Sequence, residues 1–196
     1  MHKSKKASFA IGDGLDEGYT QLLSERYFGD VEGVYTYLVK VVGLLEEAVG
    51  AEKMTSLYLK ADLPELINEL KEYASEEEIL RFLSALDFVR DHLMEVAGLP
   101  LENALITQSL VTINEFLLKI HIVKAKKMFL QGEGDGEEFS KYLVEYIGKI
   151  GRKVTIDKRD YNYLDDKRIK EIFANNLSKE DINKIIPKKE AVENKI

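Results

Sequence analysis

The chain has 196 residues, 45% of them hydrophobic and 32% charged, with a formal net charge of -7 and no cysteine. That length suits one well-buried domain, or one domain with a small appendage, and the composition is that of a folding soluble protein rather than a disordered or membrane one. Disulfides, thiolate zinc sites and cysteine nucleophiles are excluded, the negative charge argues against a surface dedicated to a nucleic-acid backbone, and no apolar stretch approaches the roughly 18 to 20 residues of a membrane span.

Lys3, Lys5 and Lys6 precede Phe9-Ala10-Ile11, which is too short for a signal-peptide core, so a cytoplasmic location is expected. Apolar residues then recur at spacings of three and four through most of the chain, the pattern of a mainly α, irregular multi-helix domain. The spacing predicts a first helix over 15–27, with Leu15, Tyr19, Leu22, Leu23 and Tyr27 along one side and Gly29-Asp30 at its end. A second, over 35–49, gathers Leu38, Val41, Val42, Leu45 and Val49 and stops at Gly50; a third covers 51–59. Asp62 caps a fourth that continues through Tyr73, with Pro64 in its first turn where a missing N–H costs nothing. Ser75 and Glu78 form a capping-box pattern for a fifth, which runs to about Ala97 and ends at Gly98.

The longest helix is predicted from Leu101 or Glu102 to Gln131, apolar on more than one side, as a central strut. Gly132-Glu133-Gly134-Asp135-Gly136 breaks the pattern as a flexible joint between a main helical body (residues 1–131) and a smaller, mostly helical part (residues 137–196). In that second part a helix over 137–150 is followed by an extended piece within 152–163, where Val154 and Ile156 alternate with polar residues. Asp165 and Ser178 cap two short helices, and the charged tail from Pro187 is expected to fray. The lysines and arginines between Lys149 and Lys170 are offset by Asp157, Asp160, Asp165 and Asp166, a mixed solvated face.

The stretch Gly14 to Leu23, GLDEGYTQLL, carries the clearest functional signal. With the following Ser24-Glu25-Arg26-Tyr27-Phe28, and with Tyr35-Thr36-Tyr37-Leu38, Val49-Gly50, Met54 to Tyr58 and Ala61-Asp62-Leu63 in the same order, it resembles a group of zincin-like proteins of Firmicute-type bacteria. The resemblance covers about the first 75 residues. It implies a fold like the C-terminal helical subdomain of zincin metallopeptidases, with Glu17 of Asp16-Glu17-Gly18 as the third zinc ligand and Tyr19 near the substrate. In such enzymes two histidines of an HExxH helix hold the metal together with that acid. No HExxH occurs here: His2 is followed by Lys3, His92 by Leu93 and His121 by Ile122. Glu17 stands too close to Met1 for the motif to precede it, so the chain resembles the C-terminal part of a metallopeptidase-like protein without its catalytic helix. A lone carboxylate does not hold zinc, and no cofactor is expected for the isolated chain; zinc is expected if an HExxH lies upstream.

Each of these residues also has a plainer reading. Glu17 suits a helix N-terminus electrostatically. His2 lies in a basic segment expected to be exposed, His92 is placed to pair with Glu95 one turn on, and His121, within the apolar run Leu117 to Val123, reads as a core histidine. GEGDGEE lacks the acid spacing and closing glutamate of a calcium loop, and neither a phosphate loop nor a GxSxG elbow occurs. Tyr35, Tyr37, Tyr161 and Tyr163 read as packing aromatics. Three functions follow as expectations. The first is a truncated or degenerate metallopeptidase-like protein, inactive by itself. The second is a fragment of an active zinc peptidase. The third is a non-catalytic helical module that binds a peptide or protein in the groove around Glu17 and Tyr19 or at the joint near Gly134, with no nucleic-acid or membrane partner.

Overall fold

Helices form almost wherever the apolar spacing is three and four. The computed structural model describes residues 11–29, 35–94, 100–156 and 158–186. Its elements are α1 (Asp13–Phe28), α2 (Thr36–Val49), α3 (Ala51–Leu59), α4 (Leu63–Leu70), α5 (Glu76–Met94), α6 (Pro100–Leu130), α7 (Gly136–Ile150), β1 (Lys153–Ile156), β2 (Arg159–Asn162), α8 (Asp166–Asn176) and α9 (Lys179–Ile185). The fold is mainly α, as the spacing predicts. The one sheet among the described residues is the antiparallel hairpin β1-β2, with Lys153 opposite Asn162 and Ile156 opposite Arg159, where extended structure was expected. No helix among the described residues is long and apolar enough to cross a membrane.

Local caps set most helix ends. The carboxylate of Asp62 accepts the Glu65 N–H at 3.2 Å, and Asp165 accepts the Arg168 N–H at 2.8 Å. Ser75 with Glu78, Asp135 with Glu138 and Ser178 with Asp181 each form a reciprocal capping box. The turn after α6 closes as a Schellman motif, in which Gly132 takes the left-handed backbone (φ 84) and Glu133 donates to the Met128 carbonyl at 3.1 Å. The Gly132–Gly136 segment is thus two helix caps in succession. Beyond it Phe139 meets Phe129 edge-on at 5.3 Å, so α7 folds back against α6.

Three expected boundaries or faces differ. α4 ends at Leu70 rather than Tyr73, because the N–H groups of Lys71, Glu72 and Tyr73 bond to carbonyls three residues back and tighten the last turn. Tyr27, grouped by spacing with Leu15 and Tyr19, is 74% exposed. Eight residues beyond Tyr19 the helix has turned about 80° away from the buried side. His92 stacks on Phe88 at 4.0 Å and its Nδ1 lies 2.9 Å from the Phe88 carbonyl; Glu95, its expected partner, lies outside the described residues. Ala97, Gly98, His2 and the tail from Pro187 lie outside them as well.

α6 is the strut the sequence predicts, apolar around its girth and packed by α5, α2, α7, α8, α9 and β2. One continuous core runs from Leu15 to Ile185 and joins both sides of the Gly132–Gly136 turn. Within it His121 is fully buried: Nε2 faces the Leu44 carbonyl at 3.0 Å, Nδ1 faces the Tyr142 hydroxyl at 3.3 Å, and the ring stacks on Tyr146 at 3.8 Å. Tyr37 and Tyr163 are also core residues. The Tyr37 hydroxyl accepts from Asn114 Nδ2 at 2.7 Å, and that of Tyr163 donates to the Ile150 carbonyl at 2.8 Å.

Candidate functional site

Two glycines one turn apart set the position of α1. A Cβ at Gly14 would stand 2.6 Å from the Leu86 carbonyl oxygen on α5, and one at Gly18 would stand 3.0 Å from Leu38 Cβ and 3.1 Å from Val42 on α2. The bare backbone at these two positions lets α1 lie against both neighbours at once. The start of the helix is held from outside it, since no local side chain among the described residues caps it. Asp87 of α5 accepts the N–H of Gly12 at 2.9 Å and of Gly14 at 2.7 Å.

This placement drives Tyr19 into the interior. The residue is fully buried, its ring 5.0 Å from that of Tyr58. Its hydroxyl donates to Glu46 Oε1 at 2.7 Å and lies 3.0 Å from Thr55 Oγ1. Glu46 is only 3% exposed, and the guanidinium of Arg26 binds both of its oxygens. The hydrogen bonds from Arg26, aided by the one from Tyr19, hold the Glu46 carboxyl below its ordinary range against the opposing effect of burial. Burial pushes the Tyr19 phenol up to about 12. At neutral pH the carboxylate is charged and the phenol protonated, so the network ties α1, α2 and α3 together and exchanges no proton near neutrality.

Beside Tyr19 opens a cleft of about 220 Å³ between the start of α1 and the α3–α4 corner. Tyr19, Met54, Leu57 and Leu66 form its apolar depth, Tyr58 and Leu63 its walls, and Asp13, Asp16 and Asp62 its polar rim. The corner itself is a second Schellman turn, with Asp62 donating to the Leu57 carbonyl at 3.0 Å and Ala61 in the left-handed backbone at φ 52. Tyr58 is fixed in turn: its hydroxyl lies 2.7 Å from Thr20 Oγ1, which donates to the Asp16 carbonyl at 2.7 Å.

Glu17 and Tyr19, expected around one groove, occupy different surroundings. Tyr19 lines the cleft and Glu17 does not. Two residues along a helix turn the side chain about 200°. The Glu17 side chain is half-buried and makes no hydrogen bond or ion pair among the described residues. Among those residues no group of three His, Asp or Glu is assembled as a metal site, and both ring nitrogens of His121 face other groups. The described residues therefore do not fit a zinc ion. Glu46 and Asp87 did not stand out in the sequence, and Arg26 did so only as part of the stretch after Leu23. The available signal for Glu46 was an acid one turn after Val42 on the core-facing side of α2. No protein-family model, curated protein or solved structure matches the chain.

Proposed function

We propose that this protein is a non-catalytic helical binding module that takes one anchor side chain of a peptide or protein segment into the cleft beside Tyr19. The observation that carries the reading is the cleft's size combined with its chemistry. At about 220 Å³ it lies below the roughly 300 to 1,000 Å³ of ordinary small-molecule sites. Its depth is apolar, and the Tyr19–Glu46 pair beneath holds no group poised to exchange a proton near neutral pH. Met54, buried at the floor of the cleft, is a flexible side chain able to repack around an anchor.

Selection of displayed peptides on the purified protein tests this. Enriched peptides are expected to bind saturably, to be recovered uncleaved, to ignore a chelator, and to lose at least tenfold in affinity against Leu63→Trp, which narrows the cleft. Chelator-sensitive cleavage, or no enrichment, would overturn the reading.

A second reading, a degenerate zinc metallopeptidase-like protein with Glu17 as a former or incomplete third ligand, draws support from a Glu17 carboxylate that has no partner among the described residues. One zinc per chain in the natively produced protein, lost in Glu17→Gln, would favour it over the binding module.

A further inference from the structure

The cleft's rim carries three carboxylates, Asp13, Asp16 and Asp62, and no lysine or arginine among the described residues lines it. Asp13 is paired with Arg90 at 3.1 Å, but that guanidinium is shared with Asp91 at 2.6 Å. Asp62 spends one oxygen on the Glu65 N–H at the start of α4. Asp16 is exposed and has no side-chain partner among the described residues. The N-termini of α1 and α4 offset part of this charge, by roughly half a positive charge each. Summed over the lining carboxylates, the two helix N-termini and Arg90 in full, about one negative charge is left at the mouth of the apolar cavity. The chain's overall charge of -7 has the same sign, and the half-buried Tyr58 ring in the wall adds a face that attracts cations.

Resting on the cleft as the binding site, we infer that its partner is a peptide segment in which an apolar anchor side chain is directly followed or preceded by lysine or arginine. The anchor fills the space over Met54 and Leu57, and the cation stands at the rim beside Asp16. An acidic segment would bring a like charge to the same rim and is selected against.

The test uses three blocked tetrapeptides that differ in one side chain: acetyl-Gly-Phe-Lys-Gly-amide and its Gln and Glu counterparts in place of Lys. Binding to the full chain is followed by NMR of the Met54 methyl group. The Lys peptide is expected to shift that signal saturably, with affinity about fivefold above the Gln peptide and at least tenfold above the Glu peptide. The preference is expected to shrink in 0.5 M salt, as rim charges require (about 4 Å of screening length), and to fall to twofold or less in Asp16→Asn, whose exposed position leaves the fold intact. Equal affinities for the three peptides, or a preference unchanged in Asp16→Asn, would overturn the inference while leaving the cleft as a binding site. Absence of any Met54 shift with all three would overturn the cleft reading itself.

Discussion

The carboxylate of Asp87 accepts the backbone N–H of Gly14 across 73 residues of sequence, at 2.7 Å, and so caps a helix to which it does not belong. Its other oxygen takes the N–H of Gly12 at 2.9 Å. A helix start leaves several N–H groups without intrahelical acceptors, and here the acceptor arrives from α5. Asp87→Ala is expected to destabilise the protein by about 1 to 2 kcal/mol, the cost of losing an N-cap. In a chain of this size that lowers the melting temperature by about 3 to 6 °C. An unchanged melting temperature would show that the α1 start is held by packing alone.

Gly14 and Gly43 both sit in helices and should respond in opposite senses to alanine. At Gly14 the new methyl meets backbone, the Leu86 carbonyl at 2.6 Å, and backbone does not move aside cheaply. Gly14→Ala is therefore expected to cost about 1 to 3 kcal/mol as overpacking, despite the gain in helix propensity. At Gly43 nothing among the described residues lies within 4 Å of the added carbon, so Gly43→Ala should stabilise by about 0.4 to 1 kcal/mol. Urea unfolding midpoints of the two variants, compared with the parent, decide both signs.

The two Schellman turns form a natural pair for comparison. Gly132 fills the left-handed position after α6 and Ala61 the same position after α3. An L-residue there carries a penalty of about 1 to 2 kcal/mol that glycine avoids, less the extra chain entropy that glycine loses. Ala61→Gly is expected to raise stability by about 0.5 kcal/mol, and Gly132→Ala to lower it by about 1 kcal/mol. Thermal melts that move the other way at either site would exclude backbone strain as the governing effect there.

His121 makes stability depend on acid. Burial holds its imidazole down at about 4 in the folded chain, against about 6.5 when unfolded. Between those values the unfolded chain binds more protons, so stability falls as the pH drops through this window. The full contribution, about 3 kcal/mol, is present above pH 6.5 and lost by pH 4, with about 2 kcal/mol gone at pH 5. His121→Gln keeps a donor for the Leu44 carbonyl and cannot titrate. Its unfolding midpoint should change less between pH 7 and pH 5 than that of the parent, and equal changes would place the acid sensitivity elsewhere.

The helices, the caps at Asp62, Ser75, Asp165 and Ser178, and the core position of His121 were legible in the sequence because the forces behind them act over a few residues. A cap side chain and its N–H lie within one turn, and an apolar stripe declares its own period. Glu17 and Gly18 show where that reach stops. The triplet Asp16-Glu17-Gly18 reads locally as a ligand signature, but what requires Gly18 to be small is the approach of Leu38 and Val42, residues on another helix. Likewise Tyr19 and Glu46 are 27 positions apart, and Gly14 and Asp87 are 73 apart. The cleft exists only because α1 meets the α3–α4 corner at one particular depth. That depth comes from close contact between backbones and from the buried hydrogen bond of Tyr19 to Glu46, and both depend on which surfaces meet in three dimensions, which no local pattern of residues encodes.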